Sequence, residues 1–401
     1  MTSENITRTQ VGIVGAGPAG LVLGHLLHLH GIESVILEDR SRDYVEGRVR
    51  AGVLEQGTVE LLVEMGVGER LKREGLVHHG VELRFRHEGH RIPFDELTDG
   101  QGITIYGQQE VVKDLISARL DADAPLLFEV EDVTPHGIDS DEPSLTFRHD
   151  GADHELRCDV IAGCDGFHGV CRPALPEGTL KAREHVYPFG WLGILAEVKP
   201  SSEELIYCHH ERGFALHSMR SPQLTRLYLQ CEPDEDIDEW SDERIWEELH
   251  TRFECDGWSL SEGPIVEKGV TPMRSFVAEP MQHGRLFLAG DAVHIVPATG
   301  AKGLNLAVAD VRVLAEALVR WFERGEDAGL EGYSEACLGR IWAAQHFAWW
   351  MTTMFHRHPD DEDGFMARLQ QAQLAYVCSS RAAATTLAEN YVGLKKIGGG
   401  L

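Results

Sequence analysis

Three glycines, Gly15, Gly17 and Gly20, stand in a G-x-G-x-x-G spacing. The first suits a tight turn, the second lets the backbone approach a diphosphate, and the third lets a helix pack close on a strand. Glu38 follows where a carboxylate can accept hydrogen bonds from ribose hydroxyls. This is chemistry for holding a dinucleotide, with the diphosphate on a helix N-terminus whose free N–H groups and dipole favour an anion. Further along, Phe214, Leu216, Ser218 and Arg220 alternate along one predicted strand. A Ser221-Pro222-Gln223 turn then brings back a strand carrying Arg226, Tyr228 and Gln230 on one face. A guanidinium flanked by hydroxyls can grip a carboxylate in two places. On spacing alone, the same residues are equally a surface arginine beside an incidental serine.

The elements that would position these groups read as an α/β chain. A buried strand over 10–14, a helix over 21–30 and a second strand over 34–38 bracket the glycine turn. A helical pattern covers 54–74 and 111–120, and strands are expected at 81–86, 102–106 and 145–149. Two more buried strands end in acid–glycine turns, at Cys164-Asp165-Gly166 and at Gly290-Asp291. Between 181 and 275 the pattern turns to alternating strands, with an acidic run at 232–239 that reads as a solvated loop or a helix lead-in. Long helices are expected over 303–324 and 332–356, and a loose tail over 395–401. The expected organisation is a Rossmann-like nucleotide-binding domain with a mostly parallel sheet in its main part over 1–180. A β-rich substrate domain is inserted over 181–275, and 276–401 returns to the first domain and ends in a helical, interface-forming region.

Composition narrows the partners. With 401 residues, 43% of them apolar, the chain can bury a sizeable core. Its 37 Lys and Arg against 65 Asp and Glu give a net charge of −28, which argues against nucleic acid and anionic membranes as partners. The eight cysteines form no C-x-x-C pair, so neither zinc nor a disulfide framework is expected. The polar start and the lack of a long apolar run point to a cytoplasmic protein with no membrane span.

Three motifs occur in order: the glycine turn, Cys164-Asp165-Gly166-Phe167-His168, and Gly290-Asp291-Ala292-Val293-His294-Ile295-Val296-Pro297. Together they resemble the single-component flavoprotein aromatic hydroxylases. The resemblance is strengthened by the stretches at 50–57, 186–193, 274–277 and 389–393, and it spans roughly residues 8–394. It implies tightly bound FAD, NADH or NADPH as electron donor, dioxygen, a small aromatic acid as substrate, and a homodimer. The implied reaction converts 4-hydroxybenzoate to 3,4-dihydroxybenzoate through a flavin C4a-hydroperoxide, with 4-aminobenzoate or a dihydroxybenzoate as alternative substrates.

The resemblance also implies roles. Ser218, Arg220 and Tyr228 receive the substrate carboxylate, and the Ala298 carbonyl faces the substrate phenol. Tyr207 and Tyr391 draw off the phenol proton, with His78 at the end of the relay. For FAD, Gly15, Gly17 and Gly20 take the diphosphate turn, Glu38 the adenosine ribose, Arg50 the pyrophosphate, Gln108 the flavin region and Asp291 the ribityl chain. Arg48 counts among the nucleotide contacts, and the backbone at Leu304 and Asn305 meets the flavin edge. Asp39, Arg40, Tyr44, His168, Arg172 and Arg274 are implied for the nicotinamide donor.

The chain departs from the family pattern twice. Pro297-Ala298 replaces a pair of prolines, which frees the backbone at Ala298. Asp39 stands first after Glu38, where members using NADPH carry a basic residue, so NADH is expected to serve at least as well. The aromatic-rich helix over 341–356 is expected to divide between core and subunit interface.

Overall fold

A computed structural model describes residues 7–49 and 52–393. Its first layer is a six-stranded sheet built on β1 (Val11–Val14) and β2 (Ser34–Leu37), short runs of residues that are all buried. These strands pair parallel with each other, and β1 also pairs parallel with Val160–Gly163. Leu286–Leu288 and Leu126–Leu127 extend the sheet in parallel, and only the edge strand Gln282–His283 runs antiparallel. Strands buried on both faces need helices on both, and α1 (Pro18–Leu29) covers one face, packed on Gly303–Arg324 and Gln108–Asp121. The fold is therefore α/β with a mostly parallel sheet, as the sequence pattern implies.

The turn between β1 and α1 needs its glycines. Gly15 has φ +101°, and a β-carbon there would sit 2.4 Å from the Cys164 carbonyl oxygen. A β-carbon on Gly20 would lie 2.0 Å from the Gly15 oxygen.

The second layer is an eight-stranded sheet. Its spine is a long antiparallel pair, Lys181–Ala196 with Ile265–Glu279, continued by Leu224–Cys231, Ala215–Ser221 and Leu205–Cys208. Gly80–Phe85 and Glu88–Pro93, from much earlier in the chain, complete one edge, and His294–Ile295 forms the other. One face packs through Leu83, Tyr207, Leu216 and Trp191 on residues of the C-terminal helices, including Phe347, Phe355, Leu374, Leu387 and Tyr391. The opposite face, with Leu227 and Leu229, is covered by Asp242–Phe253.

Local patterns differ from expectation at two places. The helical pattern over 54–74 is split into Gln56–Glu64 and Glu69–Glu74, because Gly66 takes φ +80° between them. The region 181–275 is not all strand: the acidic run leads into the helix Asp242–Phe253, whose N-terminus is capped by the Ser241 hydroxyl accepting from the Arg244 N–H. The aromatic helix Tyr333–Phe355 divides its side chains, with Phe347 and Phe355 in the core and Trp342 and Trp349 exposed. The expected tail over 395–401 lies outside the described residues. Among the described residues no helix is long and apolar enough to cross a membrane.

The glycine turn yields a paired expectation. Gly20→Ala must displace the Gly15 carbonyl and should cost about 1–3 kcal/mol of unfolding free energy in urea. Gly17→Ala meets nothing within 4 Å at φ −71° and should cost less than about 0.5 kcal/mol. Equal unfolding midpoints for the two variants would contradict the packing described.

Candidate active site

The eight-stranded sheet places Ser218 and Tyr228 on the face that the C-terminal helices cover. A cross-sheet row runs Leu83, Tyr207, Leu216, Tyr228 and Gly193, each paired with the next. Ser218 lies two residues beyond Leu216 and is buried. The register slips between Met219 and Ser221, so Arg220 falls in a bulge, which re-aims a side chain out of the regular alternation. The Arg220 Nε and Nη1 atoms are buried, although the residue as a whole keeps some exposure, and neither has a hydrogen-bond partner in the protein. Burial lowers the Arg220 pKa, and the neighbouring Tyr228 opposes that shift. A buried guanidinium short of acceptors is costly unless an anion meets it. Arg226 is differently placed: it lies over the Tyr228 ring at 5.4 Å and pairs with Glu267 at 3.0 Å.

Tyr207 and Tyr391, both fully buried, come together with hydroxyls 2.5 Å apart. Tyr207 also donates to the Thr299 carbonyl at 2.9 Å. Burial, followed by the charge of Tyr391, holds the Tyr207 hydroxyl well above its ordinary pKa, and burial raises that of Tyr391. Phe94 stacks on Tyr391 at 5.1 Å, and its N–H bonds the His79 carbonyl, which brings the segment beside His78 close to the pair. His78 is buried, and neither ring nitrogen has a protein partner. Burial depresses its pKa to about 4, against the pull of Glu204. Ala298 is exposed, and its carbonyl accepts the Ala301 N–H at 3.0 Å within a short turn. The carbonyl of this turn that meets the tyrosine pair is that of Thr299.

The glycine turn and two helix ends fit a dinucleotide cofactor. Gly17 caps α1 with no side-chain hydrogen bond, no acid occupies the first turn, and space beside Gly17 is open. The N-terminus of Gly303–Arg324, which carries Leu304 and Asn305, is equally uncapped and free of acids. Its first N–H groups precede the bond from the Leu306 N–H to the Lys302 carbonyl. Glu38 is buried at the end of β2 and accepts from the Ala16 N–H at 2.6 Å and the Arg40 N–H at 3.0 Å. Burial raises its carboxyl to about 7, with the Ala16 bond opposing and Asp39 adding to the shift. Gln108 opens the helix Gln108–Asp121, and Asp291 is exposed at the end of Leu286–Leu288. Arg50 lies outside the described residues.

The Asn305 side chain is fully engaged within the protein. Its side-chain oxygen accepts from the Glu55 N–H and the Thr58 hydroxyl, and its amide donates to the Val53 and Ala301 carbonyls. Sequence reasoning passed over the neighbouring Lys302, which is buried and bonded to Glu55 at 2.7 Å and to the Tyr391 carbonyl at 3.0 Å. Arg340 takes the other Glu55 oxygen at 2.7 Å. A lysine within a glycine-rich helix start was visible, but its acid lies 247 positions away.

The residues assigned to the nicotinamide form two groups. Arg172 and Arg274 lie over Phe167 at 4.7 and 5.0 Å, and His168 meets the edge of the same ring at 5.0 Å. Arg172 is held by the Ala292 and Phe167 carbonyls, and Arg274 pairs with Glu184 at 3.2 Å. Arg40 and Arg48 lie over Tyr44 at 5.4 and 5.9 Å, and Asp39 is 3.5 Å from Arg40.

A family model described as an FAD binding domain matches residues 8–348. The chain is 50% identical over 388 residues to p-hydroxybenzoate hydroxylase from Acinetobacter baylyi, covering 96% of each. It is 26% identical to a 3-(3-hydroxy-phenyl)propionate/3-hydroxycinnamic acid hydroxylase of Mycobacterium sp., over 83% of this chain and 58% of that one. Among solved structures, p-nitrophenol 4-monooxygenase from Pseudomonas putida superposes with a TM-score of 0.83. That match covers 97% of this chain and all of the other at 19% identity, a likeness of fold.

The depressed pKa of His78 has a testable sign. Its folded value, about 4, lies below the ordinary 6.5, so the unfolded chain takes up the proton first as pH falls. The stability associated with neutral His78 is full above pH 6.5 and is lost progressively towards pH 4. Urea unfolding should show His78→Asn losing about 2–3 kcal/mol less than the parent across that window. Parallel pH profiles for the two proteins would overturn this.

Proposed function

The chain belongs to the FAD binding domain family and, within it, to the p-hydroxybenzoate hydroxylases, and from that premise we propose that it hydroxylates 4-hydroxybenzoate beside the phenol to give 3,4-dihydroxybenzoate. The observation that carries the reading is Arg220, two of whose buried nitrogens lack acceptors, on the strand paired with the one that bears Tyr207 of the Tyr207–Tyr391 pair. An acid at one end and a phenol at the other is the ligand such an arrangement suits.

FAD, when bound, supplies the redox chemistry, accepting a hydride from the nicotinamide donor and activating dioxygen for transfer to the ring. The Gly15–Gly20 turn and the start of α1 would hold its diphosphate and Glu38 its ribose. Asp291 would meet the ribityl chain, and the N–H groups at Leu304 and Asn305 the flavin ring. The rest falls to this chain's side chains. Arg220, Ser218 and Tyr228 bind the carboxylate and fix the ring's direction. A phenol with its ordinary pKa of about 10 stays protonated at neutral pH, which leaves the adjacent carbon a weak nucleophile. Tyr207 takes up the phenol proton as its own moves to Tyr391, and His78, neutral above its low pKa, has a lone pair to receive it. The aromatic wall of Phe214, Phe347 and Phe355 keeps water from the site.

Exposed Trp342, Trp349, Phe365, Leu369 and Tyr376 on the C-terminal helices support association with a second copy. The freer backbone at Ala298 keeps 4-aminobenzoate and dihydroxybenzoates as second candidates, which product analysis over a benzoate panel separates.

Arg220→Ala should raise KM for 4-hydroxybenzoate by about 30-fold or more while leaving bound-flavin absorbance unchanged. Loss of the flavin instead would remove Arg220 from the substrate site. The exposed Asp39 carboxylate would repel a 2′-phosphate, so kcat/KM with NADH should equal or exceed that with NADPH. A hundredfold preference for NADPH would sink that expectation.

A further inference from the structure

The Tyr207–Tyr391 pair has a direction. Each hydroxyl has one proton to donate. The Thr299 carbonyl can only accept, so at 2.9 Å it takes the Tyr207 proton. The 2.5 Å contact must then be filled by the proton of Tyr391. The donors therefore run from Tyr391 through Tyr207 to Thr299. Ionisation of a bound phenol requires the reverse order, with a proton arriving at Tyr207 and its own leaving towards Tyr391. Whatever aims the Thr299 carbonyl sets how readily the pair turns round.

The helix Tyr333–Phe355 does the aiming. Thr299 is fully buried, and its hydroxyl is 2.9 Å from the Thr352 hydroxyl. Thr352 is itself fully buried and bonded to the Ala348 carbonyl at 2.7 Å, one turn earlier. The next residue in the turn, Gly300, lies so close to that helix that a β-carbon would sit 3.1 Å from the Ala348 Cα. Ala301 then leaves the turn at φ +53°. Side-chain hydrogen bond and backbone contact together seat the turn at one spot on the helix.

We propose that Thr352 is a positioning residue for phenol deprotonation. By holding Thr299 on the helix it keeps that carbonyl aimed at Tyr207, which favours the donor order in which the ligand keeps its proton. The inference rests on the phenol-hydroxylating reading of the site.

The test is the ionisation of 4-hydroxybenzoate bound to the flavin-loaded protein, followed by phenolate difference absorbance against pH. Thr352→Val removes the hydroxyl at nearly constant volume and should raise the bound phenol's ionisation constant about fivefold, the worth of one net hydrogen bond. Thr352→Ser keeps the hydroxyl and should titrate as the parent does. Thr299→Val breaks the same bond from the other end and should reproduce Thr352→Val, which also covers failure of that variant to fold. Parent-like titration in both valine variants would overturn the proposal, as would an equal shift in Thr352→Ser. If the parent protein does not bind 4-hydroxybenzoate, the substrate reading fails, and the ligand-free chain decides the inference. In carbonyl-13C-threonine-labelled protein, the infrared difference band of Thr299 should move in Thr352→Val towards its position in Tyr207→Phe. An unmoved band would overturn the proposal.

Discussion

A hydrogen bond of 2.5 Å between two buried hydroxyls, Tyr207 and Tyr391, ties the molecule together across 184 positions of sequence. One hydroxyl comes from an interior strand of the eight-stranded sheet and the other from Arg381–Val392, the last described helix. Removing Tyr207 would leave the Tyr391 hydroxyl buried and unpaired, at a cost of about 1–3 kcal/mol, whereas Tyr207 keeps the Thr299 carbonyl when Tyr391 is removed. For the bond to form, that helix must dock on the sheet, Phe94 must stack beneath Tyr391, and the turn at Thr299 must reach Tyr207. The packing of the whole C-terminal helical region is thus coupled to the placement of one phenolic oxygen.

Charge works against the chain's own ligands. With −28 net charges, the protein's overall field repels a dinucleotide and a benzoate alike. Local arrangement decides the matter instead. Many arginines are committed to acids: Arg70 to Asp114, Arg91 to Glu204, Arg226 to Glu267 and Arg252 to Glu248. The buried Lys302 is committed to Glu55. Arg220 stands apart, with two buried nitrogens that no protein group meets, and the helix starts at Gly17 and Lys302 have no capping side chain. Those local sites of unmet positive character are where anionic ligands gain most.

Much of this was legible in residue order because it is written at short range. The glycine spacing required a tight turn between strand and helix, and Gly15 at φ +101° supplies it. The alternation around Ser218 and Tyr228 foretold a hairpin, and the structure turns it at Pro222-Gln223. Other features had no local signal. Arg220 leaves its strand's alternation through a bulge, which a period-two reading cannot foresee. Asn305 had a backbone role in the sequence reading, yet its side chain bonds Glu55 and Thr58, some 250 positions away.

Sequence by itself determined the α/β class, the nucleotide-binding turn, the family resemblance and the types of residue a phenolic acid needs. Each follows from periodicity, glycine placement or motif, which act over a few residues. Tertiary structure alone decided that Gly80–Pro93 completes the sheet bearing Tyr207, and that two buried nitrogens of Arg220 are left without an acceptor. It alone decided that Thr299, held by Thr352, presents the carbonyl to the tyrosine pair. Burial and hydrogen-bond satisfaction are properties of groups brought together from distant positions, so they exist only once the layers have packed.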